Sequence, residues 1–301
     1  MCKSAARAGK PAWLKKHLPR GGEYAKVTRL LAGAKLHTVC QEANCPNMFE
    51  CFSKDTATFM ILGDQCTRHC RFCNITARPP LAVDLQEPDR VARAVRELKL
   101  HYVVVTSVTR DDLPDGGAAH FAAVIHAIKK MGKEMGMTIR VEVLIPDFKG
   151  EIAALKTVMD AQPDVINHNI ETVADLYPRV RPEAVYQRSL DLIRSVKKLN
   201  PDMPAKSGIM VGLGETLPQL EQAMQDLRTH GCDMLTMGQY LQPTRNHLPV
   251  EKYYPPAEFE QLAQAARNIG FTKVAAGPFV RSSYRAEELF QKPEHLSDLS
   301  Y

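Results

Sequence analysis

The sequence predicts an α/β fold, a partial parallel (βα)6 barrel with N- and C-terminal extensions. Three observations predict it. Through the middle of the chain, short apolar runs alternate with stretches whose apolar residues recur at helical spacing. Such strict alternation gives a parallel sheet covered by helices, because parallel strands need long crossovers. The segment after the first strand is a cysteine-rich loop, not the G-x-G-x-x-G turn that a doubly wound dinucleotide-binding sheet carries there. A length of 301 residues suits one barrel of this kind.

The first strand is TATFMILG (56–63), and a helix follows with Val91, Val95 and Leu98 on one face. HYVVVTS (101–107) is the second strand, followed by a helix using Phe121, Val124, Ile125 and Ile128. TIRVEVLI (138–145) precedes a helix with Ile152, Leu155 and Val158; DVINHNI (164–170) precedes one with Leu190, Ile193 and Leu199. AKSGIMVG (205–212) precedes a helix with Leu217, Leu220, Met224 and Leu227, and MLTMGQY (234–240) closes the series. The G-x-G of MVGLGET (210–216) lacks a third glycine and marks a tight turn or a close backbone approach. The expected division is therefore 1–55 as an N-terminal extension, 56–241 as the barrel and 242–301 as a C-terminal extension. Pro243, Pro249, Pro255 and Pro256 mark the second junction, and a helix with Phe259, Leu262, Ala266 and Ile269 follows it.

No apolar run approaches the roughly 18 residues that span a bilayer. The N-terminus lacks the apolar core of a secretory signal, so the expected location is cytoplasmic, or organellar for a eukaryotic source. Net charge is +5, yet residues 1–35 hold nine Lys and Arg against Glu23 alone, so the basic character belongs to this arm. It is either a solvated tail or a contact for an acidic partner. Trp13, Leu14, Leu18, Leu30 and Leu31 equally suit an ordered arm. No basic patch interleaved with aromatics supports nucleic-acid binding. Six of the eight cysteines fall between residues 40 and 73. In a chain without an export signal, that clustering indicates metal or cluster binding rather than disulfides, with Cys232 left as a packing residue.

GDQCTRHCRFCNI (63–75) spaces Cys66, Cys70 and Cys73 as C-x3-C-x2-C. Three thiolates on one loop hold three corners of an iron–sulfur cube and leave one iron open. The competing reading is a closed structural zinc site, with His69 or His37 as fourth ligand. CQEANCPNMFEC supplies a second triad, Cys40, Cys45 and Cys51, for which a zinc knuckle is the generic alternative. A loop of C-x3-C-x2-C after a first barrel strand, with aromatic Phe72 before its last cysteine, resembles the radical S-adenosylmethionine (radical SAM) superfamily. The resemblance implies that the open iron binds SAM. The reduced cluster then cleaves SAM to a 5′-deoxyadenosyl radical, which abstracts hydrogen from an unactivated C–H bond.

The second triad, with RDDLPDGG (110–117), NHNIET (167–172), VGLGE (211–215) and RSSYR (281–285), narrows the resemblance to the lipoyl synthase family over nearly the whole chain. Biotin synthases and methylthiotransferases also use a second cluster, but with differently arranged ligands. The resemblance implies insertion of two sulfur atoms, at C6 and C8 of a protein-bound octanoyl-lysine. It implies two 4Fe-4S clusters: Cys66, Cys70 and Cys73 hold the SAM-cleaving one, and Cys40, Cys45 and Cys51 the auxiliary one that donates sulfur. A serine of R-S-S-Y, Ser283 in preference to Ser282, would complete the auxiliary cluster. A hard alkoxide is a weak partner for a soft cluster, and is therefore easily released. A local turn hydrogen bond is the bland role for either serine.

By position at the carboxyl ends of strands, Thr106, Ser107, Asn169, Glu171 and Glu215 are candidate SAM contacts, with Phe72 from the cysteine loop. Each acid is alternatively a helix cap. His168 and Met210 are expected in the core or behind the site. Asp112 and Asp115 shape a substrate entrance or simply form turns. The implied partners are octanoylated lipoyl carrier domains or a glycine-cleavage H-type protein, a flavodoxin- or ferredoxin-type electron donor with its reductase, and an iron–sulfur carrier protein.

Overall fold

A computed structural model describes residues 11–15, 23–43, 45–53 and 58–291. Most of the basic arm, including Leu18, and the first two residues of the expected strand 56–63 lie outside the described residues. The strands in chain order are β1 (His37–Thr38), β2 (Thr58–Ile61), β3 (Gln65–Cys66), β4 (Thr76–Ala77), β5 (Tyr102–Ser107), β6 (Arg140–Leu144), β7 (Val165–Asn167), β8 (Ala205–Val211), β9 (Met234–Gln239) and β10 (Lys273–Gly277). The helices are α1 (Glu23–Gly33), α2 (Val39–Glu42), α3 (Met48–Ser53), α4 (Glu87–Glu97), α5 (Ala118–Glu134), α6 (Ile152–Asp160), α7 (Tyr177–Val180), α8 (Tyr186–Leu199), α9 (Leu217–Thr229), α10 (Pro256–Ile269) and α11 (Ala286–Gln291).

Eight strands form the main sheet in the order β1-β2-β5-β6-β7-β8-β9-β10, while β3 and β4 pair separately within the cysteine loop. From β2 to β10 every pairing is parallel, as in the predicted partial barrel; β1 alone runs antiparallel, setting His37 against Met60 and Thr38 against Phe59. All six predicted strands are present, and the sheet continues past them into both flanking segments. Strand β10 carries only small residues after Val274, and β1 has two residues, so neither shows an apolar run in the sequence.

Side chains alternate across a strand, and the two faces here have different neighbours. Val103 and Val105, Val141 and Val143, and Ile209 and Val211 join the main core shared with the helices. Each such burial contributes about 1.5–3 kcal/mol. The other face of the same strands looks into the barrel and carries Thr106, Glu142, Lys206, Gly208 and Gly238. Ile152, Leu199 and Leu217, expected on buried helix faces, are instead exposed. They sit at the ends of α6, α8 and α9, where the apolar stripe turns away from the sheet.

Both ends of the chain pack on this frame. Tyr24 of α1 stacks on Phe49 and Phe52 of α3, with ring centroids 4.8 and 5.6 Å apart, and Val27 and Leu31 enter the main core. At the other end, Ala286 of α11 clusters with Tyr102 and Val104, while Leu289 clusters with Ala275 and Val280. Helix α11 thus bridges the inner side of the sheet from β5 to β10. The segment before it brings Val280, Arg281, Ser282 and Ser283 to the inner cavity.

Candidate active site

A cavity of about 880 Å³ opens at the carboxyl ends of the strands. The loop from Gly63 to Ala77 forms one wall, and it is fastened at several points. Thr67 donates from its amide and its hydroxyl to the Thr109 carbonyl, at 3.1 and 3.0 Å. Arg68, buried between Cys66 and Cys70 in sequence, donates to Asp111 at 2.7 Å and to Asp147 at 2.6 Å. The Arg71 amide donates to Val180 O, and Asn74 Nδ2 to Glu42 O. These anchors place Cys66, Cys70 and Cys73 on the cavity wall. The Cys66 sulfur accepts amide hydrogens from Arg68 and Thr109, at 3.4 and 3.3 Å. Burial pushes the Cys70 thiol up to about 11 and the Cys73 thiol up to about 12. Burial thus keeps both thiols protonated in the absence of a positively charged partner.

The second triad reaches the same cavity from the segment after β1, the neighbour of β2. Thr38, at the end of β1, caps α2 by accepting from the Gln41 amide, and this puts Cys40 in the first turn. Cys40 and Cys45 line the cavity, whereas Cys51 lies on α3 behind them. Burial, with the neighbouring Cys45, pushes the Cys40 thiol up to about 12. The RSSYR segment docks onto this triad. Asn47 Nδ2 donates to Phe279 O at 2.7 Å, and the Tyr284 hydroxyl donates to Glu50 at 2.8 Å. Arg281, Ser282 and Ser283 join the cavity wall. Glycine makes the approach possible. A Cβ on Gly238 would stand 2.0 Å from Val280 O, and one on Gly208 would stand 2.7 Å from Ser282 Oγ.

Thr106, Ser107, Asn169 and Glu171 line the same cavity, as does Phe72 of the cysteine loop. Ser107 Oγ is buried without a hydrogen-bond partner among the described residues, as is Nε of Arg181, which also lines the cavity. Glu171 adopts a left-handed backbone, φ 66°, a conformation that costs a non-glycine residue about 1–3 kcal/mol. Burial raises the pKa of its carboxyl, while Arg181 and Asn169 oppose the rise. Asn169 donates to Glu171 at 3.1 Å and accepts from the Ser282 hydroxyl at 2.7 Å. Glu215 does not join this group. Its carboxylate accepts the Gly212 and Leu213 amides at 2.6 and 2.9 Å and closes the glycine turn, so α9 is capped by Thr216 instead. Gly212 takes φ 102°, and a Cβ there would meet Gln239 and Lys252 O.

The alternatives raised by sequence resolve similarly. His69 is largely exposed and pairs with Glu183, and His37 pairs with Glu42. Among the described residues, no three His, Cys, Asp or Glu side chains converge on one metal position. All seven described cysteines are free thiols. Asp115 accepts the Gly117 and Ala119 amides at the start of α5, and Asp112 pairs with Arg110, so RDDLPDGG forms a turn. His168 is buried between the Ile145 carbonyl and Ser189, and Met210 borders the cavity. Arg68, Arg181 and Lys206 have roles here that the motif reading missed. Lys206 had a sequence signal, a lone charge in the apolar strand AKSGIMV.

The model of the radical SAM superfamily matches residues 60–227, and the model of the N-terminal domain of lipoyl synthase matches residues 2–45. Lipoyl synthase from Desulfotalea psychrophila is 56% identical over 288 residues, covering 96% of this chain and 95% of its own. The chain belongs to the lipoyl synthase family. It is thus a sulfurtransferase of the radical SAM class, with the activity of a lipoyl synthase. Lipoyl synthase from Symbiobacterium thermophilum is likewise 56% identical, across 95% of this chain and 89% of its own. Among solved structures, HydG, a maturase of the FeFe-hydrogenase, superposes with a TM-score of 0.58 at 15% identity, over 83% of this chain and 63% of that one. That likeness, at so low an identity and over less than two thirds of the neighbour, concerns the fold alone. Among the described residues no helix is long and apolar enough to cross a membrane.

Proposed function

We propose that the cavity serves two clusters with different tasks, converting an octanoyl-lysine on a carrier domain to lipoyl-lysine by sulfur insertion at C6 and C8. The observation that carries this reading is convergence. The C-x3-C-x2-C loop, two cysteines of the N-terminal triad and the serines of RSSYR all border one cavity. Cys66, Cys70 and Cys73 would hold the first 4Fe-4S cluster, with Phe72, Thr106, Ser107, Asn169 and Glu171 around the SAM beside it. Bound and reduced, this pair supplies the radical able to take hydrogen from an unactivated C–H bond. Cys40, Cys45 and Cys51 would hold the second cluster, a substrate that gives up its sulfide.

The chain's own residues supply position and enclosure. Asn169 joins the two halves of the site, touching Glu171 on one side and Ser282 on the other. Because the Ser282 hydroxyl is engaged by Asn169, Ser283 is the better candidate for the weak ligand. Phe72 packs against Val180, Leu213, Tyr240 and Leu248, which keeps that wall dry. Water exclusion protects a radical from quenching. The partners that fit are an octanoylated lipoyl carrier domain or H-type protein, a flavodoxin- or ferredoxin-type donor and an iron–sulfur carrier. The free thiols suit a reducing compartment, the cytoplasm or an organelle interior.

Anaerobically reconstituted protein should carry about eight iron and about eight sulfide per chain. With SAM, a reductant and an octanoyl-lysine peptide, it should yield lipoyl-lysine by mass spectrometry. Colourless protein that retains two zinc ions and forms no product would overturn the reading.

A further inference from the structure

On the inner face of the barrel, outside the cavity lining, lies a second polar cluster that sulfur chemistry does not account for. Glu142 on β6 and Lys206 on β8 are each 1% exposed and pair at 2.8 Å. Two ions this deeply buried are seldom a gain in stability over an apolar pair, so another reason for their presence is worth seeking. The carboxylate is well satisfied. The Tyr102 hydroxyl donates to it at 2.7 Å and Asn167 Nδ2 at 3.0 Å. One donor of Lys206 points out of the cluster and reaches the Ser282 carbonyl at 2.6 Å. That carbonyl belongs to the peptide joining Ser282 to Ser283.

We propose that Lys206 is a positioning residue: clamped by Glu142, it fixes the Ser282–Ser283 peptide and so sets where the Ser283 hydroxyl stands relative to Cys40 and Cys45. The inference rests on the reading of Ser283 as the weak ligand. The serine segment has no strand of its own to hold it. Side chains tether it instead: Asn47 on the Phe279 carbonyl, Asn169 on the Ser282 hydroxyl, Glu50 on Tyr284, and Lys206 on the backbone between the serines. Among these, Lys206 acts on the peptide joining Ser282 to Ser283, and it comes from a central strand paired on both sides. A charged donor to a buried carbonyl is among the stronger tethers available. A ligand that must detach and return benefits from a backbone that stays in place while its side chain lets go.

The test uses Lys206→Met with Glu142→Gln, which removes the tether without stranding a buried charge and keeps an acceptor for Tyr102. In the anaerobic, cluster-loaded protein, amide hydrogen exchange in residues 279–285 should accelerate by about tenfold or more, with β5 to β8 unchanged. SAM cleavage should stay within about twofold, whereas lipoyl formation should fall by about tenfold. Adding Ser283→Ala should cost nothing further, because both changes act through one group. Unchanged exchange in 279–285, loss of protection throughout the sheet, or rates that multiply with Ser283→Ala would overturn the proposal. Wild-type product formation by Ser283→Ala alone would overturn the ligand reading instead, and with it the purpose assigned to the tether.

Discussion

Tyr284 donates its hydroxyl to Glu50 at 2.8 Å, joining residues 234 positions apart. Glu50 precedes Cys51 on α3, and Tyr284 follows Ser283, so this bond ties a triad cysteine to the serine segment. Burial and the Glu50 carboxylate both raise the Tyr284 pKa, so the phenol keeps its proton to donate. Tyr284→Phe keeps the ring and deletes the bond, at a cost of about 1.5–3 kcal/mol for a charged acceptor. We expect lipoyl formation to fall about tenfold while SAM cleavage without product persists. Equal loss of both activities, compared in one assay by mass spectrometry, would count against a role confined to the serine segment.

Arg68 is the buried keystone of the cysteine loop. Asp147 is wholly buried, and Arg68 holds its carboxyl well below the usual range despite the opposing effect of burial. Removing one partner of such a pair leaves an uncompensated charge, at about 3–5 kcal/mol. Arg188, 3.4 Å from the same carboxylate, softens the loss. Arg68→Ala should therefore lower stability by about 3 kcal/mol, against about 1 kcal/mol for Asp111→Ala, whose carboxylate is partly exposed. Urea unfolding of the two variants side by side checks the ranking.

Much of the fold was legible because β2 and β5 to β9 are runs of apolar residues and the helices between them keep a helical period. The main-sheet strands that escaped, β1 and β10, are too short or too alanine-rich to signal themselves, as are the two-residue β3 and β4. The cysteines were legible because thiol spacing is chemistry written locally. What local pattern does not carry is how the two chain ends meet: Asn47 with Phe279 and Glu50 with Tyr284 are distant pairings. Glu215 looked like a rim acid because it follows a strand, yet the preceding glycine turn exposes amides that its carboxylate satisfies. Arg181 gave no signal, since its partners are the backbone carbonyls of Asn169 and Ile170.

His168 should give the protein an acid-sensitive window of its own. Burial, with the charge of Arg181, lowers its pKa from 6.5 to about 4, and its ring stays neutral between Ile145 O and the Ser189 hydroxyl. Between those values the unfolded side chain takes up a proton that the folded one refuses. Stability is therefore complete above pH 6.5 and declines as pH falls toward 4, by up to about 1.4 kcal/mol per unit. Asp147 contributes in the same direction but at lower pH, below its ordinary 3.8. His168→Asn should flatten the dependence of the thermal midpoint between pH 6.5 and 5, even if its midpoint at pH 7 is lower. A variant slope equal to that of the wild type would assign the window to another group.

Gly238 and Gly208 line the same inner face, yet their substitution should fail in different ways. A Cβ on Gly238 would lie 2.0 Å from Val280 O, a backbone atom that no rotamer change can move. The segment carrying Ser282 and Ser283 would have to leave the wall, so Gly238→Ala should cost about 3 kcal/mol or more and abolish lipoyl formation. The atoms nearest a Cβ on Gly208 would be side-chain ends: Ser282 Oγ at 2.7 Å, Asn169 Oδ1 at 2.8 Å and Thr236 Oγ1 at 2.9 Å. Those groups can rotate, so Gly208→Ala should remain folded within about 1–2 kcal/mol of the wild type. Rotation would break the Ser282–Asn169 bond and disturb Asn169 against Glu171. Its signature should be weaker SAM binding, a rise in the SAM KM with a nearly unchanged melting temperature. Calorimetry and SAM titration on both variants separate the two outcomes, and a Gly238→Ala protein as stable as the wild type would show that the serine segment does not pack as described.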